Sequence, residues 1–417
     1  MKVVYLNAAG QMGGAEWSLL TLLGGLLEQP DFTACVVIPE DGPLADHCRQ
    51  LGIATEILPF PKALETIGDS RHGRTWRGTM SSVAAVAGTV KPTCEYLVSL
   101  RRLLRRECPD AIHTNGFKMH LAGACARYGV RRLRSTPLVA HVHDYVSSRP
   151  LAGIGLKVVA SQFSRFIANS LSVAEDLRRF LRTDRVEAVY NAFDANRFSP
   201  EGAILDLDAQ CGLPQAASGT VRVGLVASFG RWKGHVTFLQ ALAKLDRQLP
   251  VRAYVIGGPI YRTSGSQYSI EELWCEARRL NVADRVGFTG FLSDSAPAVR
   301  ALDIVVHAST QPEPFGMVIV EAMACRKAVI VSSLGGAQEL FEENRTAMGH
   351  RPGDADQLAE KIQLLAKDPS RRAALGREAC LAVNCRFRQS DMASSFRRTY
   401  DSVVKAPLFE GQPVPSC

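Results

Sequence analysis

Ile304-Val-Val-His-Ala-Ser309, then after three residues Glu313-Pro-Phe-Gly-Met-Val-Ile-Val-Glu321-Ala-Met-Ala, is the stretch whose reading decides the fold. The first run is short, apolar and β-branched, as a strand buried on both faces of a parallel sheet must be. Glu313 precedes Pro314, so its backbone is biased towards an extended conformation outside any helix. Gly316 to Cys325 reads as a helix that is apolar almost all round, with Glu321 its one charge, and such a helix is buried. Strand, acidic loop and buried helix in this order place Glu313 at the carboxyl end of a sheet, where open α/β sheets bind ligands. The free N–H groups near Phe315, Gly316 and Met317 then form a site for phosphate or sugar oxygens. Taken alone, two glutamates at this spacing fit a solvated Glu313 and a structurally satisfied Glu321 equally well.

A chain of 417 residues is long enough for two domains, each with its own core. The 46% apolar and 22% charged fractions are those of a soluble globular protein. Eleven cysteines are scattered without a Cys-x-x-Cys, and the closest pair, Cys380 and Cys385, has no nearby histidine. They read as reduced thiols of a cytosolic protein, and no metal site is expected. No apolar run reaches transmembrane length, and Met1-Lys-Val-Val-Tyr-Leu reads as a first strand rather than a signal peptide. The net charge of +8 is uneven: residues 71–134 hold 13 Lys or Arg against 3 Asp or Glu. No nucleic-acid module accompanies this basic patch, so an anionic membrane surface is the expected partner and nucleic acid is not.

In the first half, strand 2–8 runs into Ala9-Gly-Gln-Met-Gly-Gly14-Ala-Glu16 and a helix from Trp17 to Leu27. Adjacent glycines at such a turn let backbone approach a ligand, and the helix behind them offers N–H groups. Cys94 to Arg106 is a helix with Leu97, Leu100, Leu103 and Leu104 beside Arg101, Arg102, Arg105 and Arg106. It reads either as an ordinary surface helix with its leucines in the core or as one lying on anionic headgroups, with Trp76 as an interfacial residue. Strand 137–143 carries His141 and His143, which alternation sends to opposite faces. A shared metal is therefore not expected, and Asp144 is placed to orient His143. Ser172 is expected to cap a helix over 173–182. In the second half, strand 221–227 leads to Ser228-Phe-Gly-Arg231-Trp-Lys233-Gly234-His235, and Lys233 supplies a point charge suited to phosphate. Strand 286–292 ends at Leu292, and Gly335-Gly336-Ala-Gln-Glu339 follows strand 328–332.

Glu313-Pro-Phe-Gly with Glu321-Ala-Met-Ala, Gly335-Gly336, Lys233-Gly234, His143-Asp144 and Gly13-Gly14-Ala-Glu16 together resemble the family-four retaining glycosyltransferases (glycosyl transferases group 1). The resemblance covers nearly the whole chain in the family's order, and it is tighter in the second half. It implies an α/β GT-B fold: two Rossmann-like domains facing across a cleft, with the C-terminal helix crossing back to the first. The implied domains are an acceptor-binding one over 1–200, completed by about 390–405, and a nucleotide-sugar-binding one over 215–390, with 406–417 a disordered tail.

The activity implied is sugar transfer from a nucleoside diphosphate sugar to a hydroxyl acceptor, with retention and without a metal or other cofactor. Glu313 would hold sugar hydroxyls, Lys233 the departing phosphate and His143 the sugar near its 6-hydroxyl. Gly14, Phe315, Gly316, Glu321 and Leu292 would complete the donor site, Glu321 through the ribose and Leu292 beside the base. The family's arginine several residues before the lysine is replaced by Ala227 or Ser228, so Arg231 is the candidate for that contact. Arg326 stands where the family has a small residue. The basic first half suggests a lipid-linked acceptor in polysaccharide assembly and a peripheral position at the inner face of a membrane. Four competing readings are a glycogen-type synthase, which would need longer insertions, a non-catalytic sugar-nucleotide-binding partner, a transferase for a small soluble acceptor, and a basic nucleic-acid binder.

Overall fold

The computed structural model describes residues 1–61, 82–260 and 265–405. Residues 71–81, with Trp76, and the tail 406–417 lie outside them. The chain forms two compact units.

The first unit holds Met1–Asn169, Val173–Val189 and the final helix from Gln389. Its sheet is all parallel, in the order β3-β2-β1-β4-β5-β6-β7. The strands are β1 Lys2–Asn7, β2 Thr33–Ile38, β3 Ala54–Ile57, β4 Ala111–Asn115, β5 Leu138–Val142, β6 Arg165–Ala168 and β7 Val186–Ala188. The order reverses between β1 and β4, and there Asn7 lies opposite Asn115 in register. That switch point is where a doubly wound sheet opens a crevice. The helix Gln389–Lys405 belongs here because its buried residues, Met392, Ala393, Phe396, Thr399 and Tyr400, fall on one face. Gln389 Nε2 donates to the carbonyl of Thr21 at 2.7 Å, and the Tyr400 hydroxyl lies 2.8 Å from His113 Nδ1.

The helix expected over Cys94–Arg106 begins earlier, at Ser82, and runs through Pro92 to Glu107. Leu100, Leu103 and Leu104 are buried, as a surface helix with a core-facing stripe requires. Arg101 donates to the carbonyls of Cys125, Ala126 and Tyr128, closing the end of helix Phe117–Arg127. Arg106 pairs with Glu56. Arg102 and Arg105 are exposed.

The second unit holds Ser170–Ser172 and Tyr190–Arg388. Its parallel sheet runs β10-β9-β8-β11-β12-β13. The strands are β8 Val221–Val226, β9 Val251–Ile256, β10 Val286–Gly290, β11 Ile304–His307, β12 Ala328–Ser332 and β13 Met348–His350. Here too the order reverses, between β8 and β11. The first domain was expected to reach residue 200, but the segment from Tyr190 joins the second unit. The reason is apolar burial: Phe193, Phe198 and Leu207 enter the same core as Val305, Phe315 and Val329. Asp208 anchors the segment further, bonding Arg252 Nη1 and the Tyr254 hydroxyl at 2.7 Å each.

Candidate functional site

The second unit places Lys233 and Glu313 together at its switch point. Lys233 Nζ lies 2.9 and 2.8 Å from the two carboxylate oxygens of Glu313. Ser309 Oγ donates to the same carboxylate at 2.6 Å, and His307 Nε2 lies 3.4 Å away. Burial by itself would raise the Glu313 pKa, but the charge of Lys233 and the bond from His307 outweigh it and hold the carboxyl well below its ordinary range. The local chain can fold only one way around this pair. Gly234 sits at φ 79°, and a Cβ there would stand 1.9 Å from the Ala308 carbonyl oxygen. Gly336 is held just as tightly: a Cβ there would stand 2.1 Å from the Pro314 carbonyl oxygen, and its N–H donates to the Glu313 carbonyl at 2.7 Å. Glycines in these two turns let the β8, β11 and β12 loops converge on one point.

Glu313 is extended and outside the helix, as its place before proline predicts. The helix runs over Met317–Ala324, with Gly316 as its N-cap at φ 104° and no side-chain cap. The Phe315 side chain does not line a site: it is 2% exposed and packs with Tyr190 and Phe387. Only its backbone can serve a ligand. Glu321 lies on the same helix, and burial pushes its carboxyl up to about 7. Leu292 is half-buried just beyond β10, next to an exposed Phe291. Arg326 adopts φ 58°, a left-handed conformation that a residue without a Cβ takes at less cost.

Arg231 does not join the Lys233 centre. It lies 2.8 Å from Glu272, donates to the Gly265 carbonyl at 3.1 Å and stacks 4.4 Å over Tyr268. A planar cation with an available carboxylate and ring face takes both, and here they lie on the 265–272 segment. Glu339, part of the Gly-Gly signature, accepts from the N–H groups of Leu171 and Ser172 at 2.9 and 2.7 Å. The helix that follows opens at Leu171, so Ser172 lies inside it rather than at its N-cap.

The first unit builds a different centre at its own switch point. His143 Nε2 is 2.6 Å from Asn115 Oδ1. Asn115 Nδ2 donates to Asn7 Oδ1 at 2.6 Å, and Asn7 Nδ2 donates to Glu16 Oε1 at 3.2 Å. Asn115, not Asp144, orients the imidazole: both Arg149 Nε and Nη2 donate to Asp144 Oδ2. With Asn115 Oδ1 accepting, the His143 proton sits on Nε2. Burial lowers the His143 pKa to about 4, against the opposing charge of Asp144, so the ring is neutral. His141 and His143 do not point apart. Their rings are 3.9 Å apart, because His143 lies past the last residue of β5 and alternation has ended. Gly13 is the N-cap and Gly14 the first residue of helix Gly14–Leu27. A Cβ at Gly13 would stand 2.9 Å from Glu16 Oε2, whereas one at Gly14 would meet nothing within 4 Å. Packing therefore does not demand glycine at 14. Asn7, Asn115 and Glu16 were not singled out from the sequence as members of one centre. Each ends or follows a strand, but the hydrogen bonds that join them link residues up to 108 positions apart. Among the described residues no group of three or more His, Cys, Asp or Glu is placed to hold a metal ion.

Two family descriptions match, Glycosyltransferase Family 4 over residues 12–197 and Glycosyl transferases group 1 over 215–380. The D-inositol 3-phosphate glycosyltransferase 2 of Catenulispora acidiphila is 32% identical over 71% of each chain. The chain belongs to the group 1, family-four glycosyltransferases. The D-inositol 3-phosphate glycosyltransferase of Rhodococcus jostii is also 32% identical, over 69% of this chain and 66% of that one. The N-acetyl-alpha-D-glucosaminyl L-malate synthase of Bacillus anthracis is 25% identical over 53% and 54%. The chain thus spans between about half and about seven-tenths of the curated relatives it matches. Among solved structures, Anabaena HepE in complex with UDP and glucose superposes with a TM-score of 0.77, at 27% identity over 96% of this chain and all of that one. The two parallel sheets are those of the GT-B fold.

Proposed function

We propose that this protein transfers a sugar from a nucleoside diphosphate sugar to a hydroxyl acceptor, with retention of anomeric configuration. The observation that carries the reading is the Lys233–Glu313 pair beside the open N-terminus of helix Met317–Ala324, at a sheet's carboxyl edge. The HepE complexes with UDP-glucose and UDP favour a uridine nucleotide as donor.

The departing diphosphate gains negative charge as the glycosidic bond breaks, so catalysis consists mainly in stabilising that charge. Lys233 Nζ has three protons, and binding of a phosphate requires it to share them between Glu313 and the ligand. The N–H groups of Gly316 and Met317 add the helix's partial positive charge. Ser309 and His307 keep Glu313 in place while Lys233 turns to the phosphate, leaving its carboxylate to accept from sugar hydroxyls. Glu321 accepts from the ribose hydroxyls. In the first unit, neutral His143 serves a sugar hydroxyl, and Gly14 leaves room for the donor or acceptor to touch backbone. The leaving phosphate, on the same face as the incoming hydroxyl, takes its proton, so neither glutamate acts as a hydrolase nucleophile. This division of labour requires no metal ion. Arg231 is assigned to ordering the 265–272 segment rather than to the diphosphate.

Two acceptor classes have support. The basic patch, of which Arg102, Arg105, Arg131, Arg132 and Arg134 are exposed, favours a lipid-linked acceptor at an anionic membrane surface in polysaccharide assembly. The names of the relatives, inositol phosphate and malate, favour a small anionic acceptor, which the same cations also suit. A screen of sugar nucleotides by mass spectrometry, read as release of free nucleoside diphosphate with each acceptor class, tests the whole reading. Binding of donors without release under any acceptor would support a non-catalytic partner instead.

A further inference from the structure

The helix Pro150–Val159 turns its aliphatic side chains both ways. Ala152, Gly153 and Leu156 are buried. Leu151, Ile154 and Val158 are 73%, 58% and 77% exposed, on the opposite stripe. Its outer face carries one cation, the exposed Lys157, and no acid. The 3-10 turn Ala160–Gln162 that follows is tied to the short helix Arg131–Ser135 by one buried arginine. Arg127 donates to the carbonyls of Gln162, Leu133 and Arg134 at 2.5, 2.8 and 2.7 Å. The exposed Arg131, Arg132 and Arg134 therefore flank the aliphatic stripe. The charge around it is mostly of one sign: residues 111–174 contain eight Lys or Arg and a single acid, Asp144, which Arg149 already pairs, and of the two acids that follow, Glu175 pairs with Arg179 and Asp176 accepts from the N–H groups of Val146 and Ser147.

We propose that this face docks on an anionic lipid bilayer, with Leu151, Ile154 and Val158 entering the headgroup–acyl boundary and the arginines of 131–134 pairing with headgroups. A second copy of the chain is a poor occupant, because it would bring two like-charged faces together. A soluble anion would use the cations but not the aliphatic side chains. Both parts of the surface are used only by a partner that is charged on the outside and apolar beneath. Among the described residues no helix is long and apolar enough to cross a membrane, so the contact is interfacial. The inference rests on the membrane-proximal reading above and moves its apolar contact away from residues 71–81.

The test is flotation of the full chain with phosphatidylcholine vesicles, with and without phosphatidylglycerol. The wild type is expected to float with the anionic vesicles and not with the neutral ones. The combined variant Leu151→Glu, Ile154→Glu, Val158→Glu should lose about tenfold or more of that binding, with nucleotide binding and thermal unfolding unchanged. Val158→Trp, which disturbs nothing buried, should shift its emission to the blue on anionic vesicles only. Flotation of the triple variant at wild-type level, or no blue shift from the introduced indole, overturns the proposal while leaving membrane docking through Arg102 and Arg105 standing. A wild type that fails to float at low salt overturns both. A wild-type dimer broken by the triple variant would assign the face to copy-to-copy contact and overturn the proposal as well.

Discussion

At the ends of β1 and β4 the first unit gathers His143, Asn115, Asn7 and Glu16; at the ends of β8 and β11 the second gathers Lys233 and Glu313. The two sheets share a strand order, yet one crevice is lined by a neutral imidazole and two amides whose hydrogen-bond chain ends on Glu16, and the other by an ion pair. The difference follows from what each would hold. A diphosphate needs a formal cation, and a cation waiting in a half-buried place needs a carboxylate beside it to remain charged. A sugar hydroxyl needs a donor and an acceptor of fixed direction, which a neutral imidazole held by an amide supplies. Four histidines of the first unit, at 113, 120, 141 and 143, have pKa values pushed down by burial.

The contrast breaks most visibly at Lys233. Lys233→Ala should lower turnover by about 10²–10³, the usual effect of removing one donor to a developing oxyanion, and nucleoside diphosphate release measures it. Little loss would mean that charge is not what the second crevice supplies. The next effect is on stability. A histidine whose folded pKa lies below the ordinary 6.5 contributes stability that is full above 6.5 and is lost as pH falls towards the folded value. His143 at about 4 and His120 at about 3, with His113 and His141 also low, place that window below pH 6.5. Urea unfolding should weaken there by up to about 1.4 kcal/mol per pH unit for each histidine. A flat profile between pH 6.5 and 4 would show that these rings are not buried neutral.

Asn115→Asp sharpens the comparison by placing a carboxylate directly beside His143. Its carboxylate should raise the His143 pKa by one to two units, about what a close opposite charge does, as proton titration by NMR would record. Activity should then change little at neutral pH and fall about two- to tenfold at pH 5, where the ring becomes protonated. Glu321 gives a smaller effect. Because burial lifts its pKa to about 7, its ionised form, the better acceptor for ribose hydroxyls, builds up as pH rises through 7. Nucleotide affinity measured by calorimetry should increase about fivefold from pH 6 to 8, and Glu321→Gln should abolish the dependence. The smallest change is expected from Arg231→Ala, within about twofold on donor affinity, since its guanidinium is held by Glu272 and Tyr268.

The sequence by itself determined the class of fold and pointed to Lys233 and Glu313, which the structure brings together at the second crevice. Buried parallel strands read as apolar runs, and a lysine, a glutamate before proline and paired glycines at strand ends are local signals with local causes. What only the tertiary structure decided were the partners. Arg231 pairs with Glu272 away from the Lys233 centre, Asn115 rather than Asp144 directs His143, and Tyr190–Pro214 packs with the second unit. Each of these is a competition between groups far apart in the chain, settled by distance and burial after the sheets have formed. Local propensity sets where a residue's backbone goes, but a charged or polar side chain takes whichever partner the folded chain brings within about 3 Å.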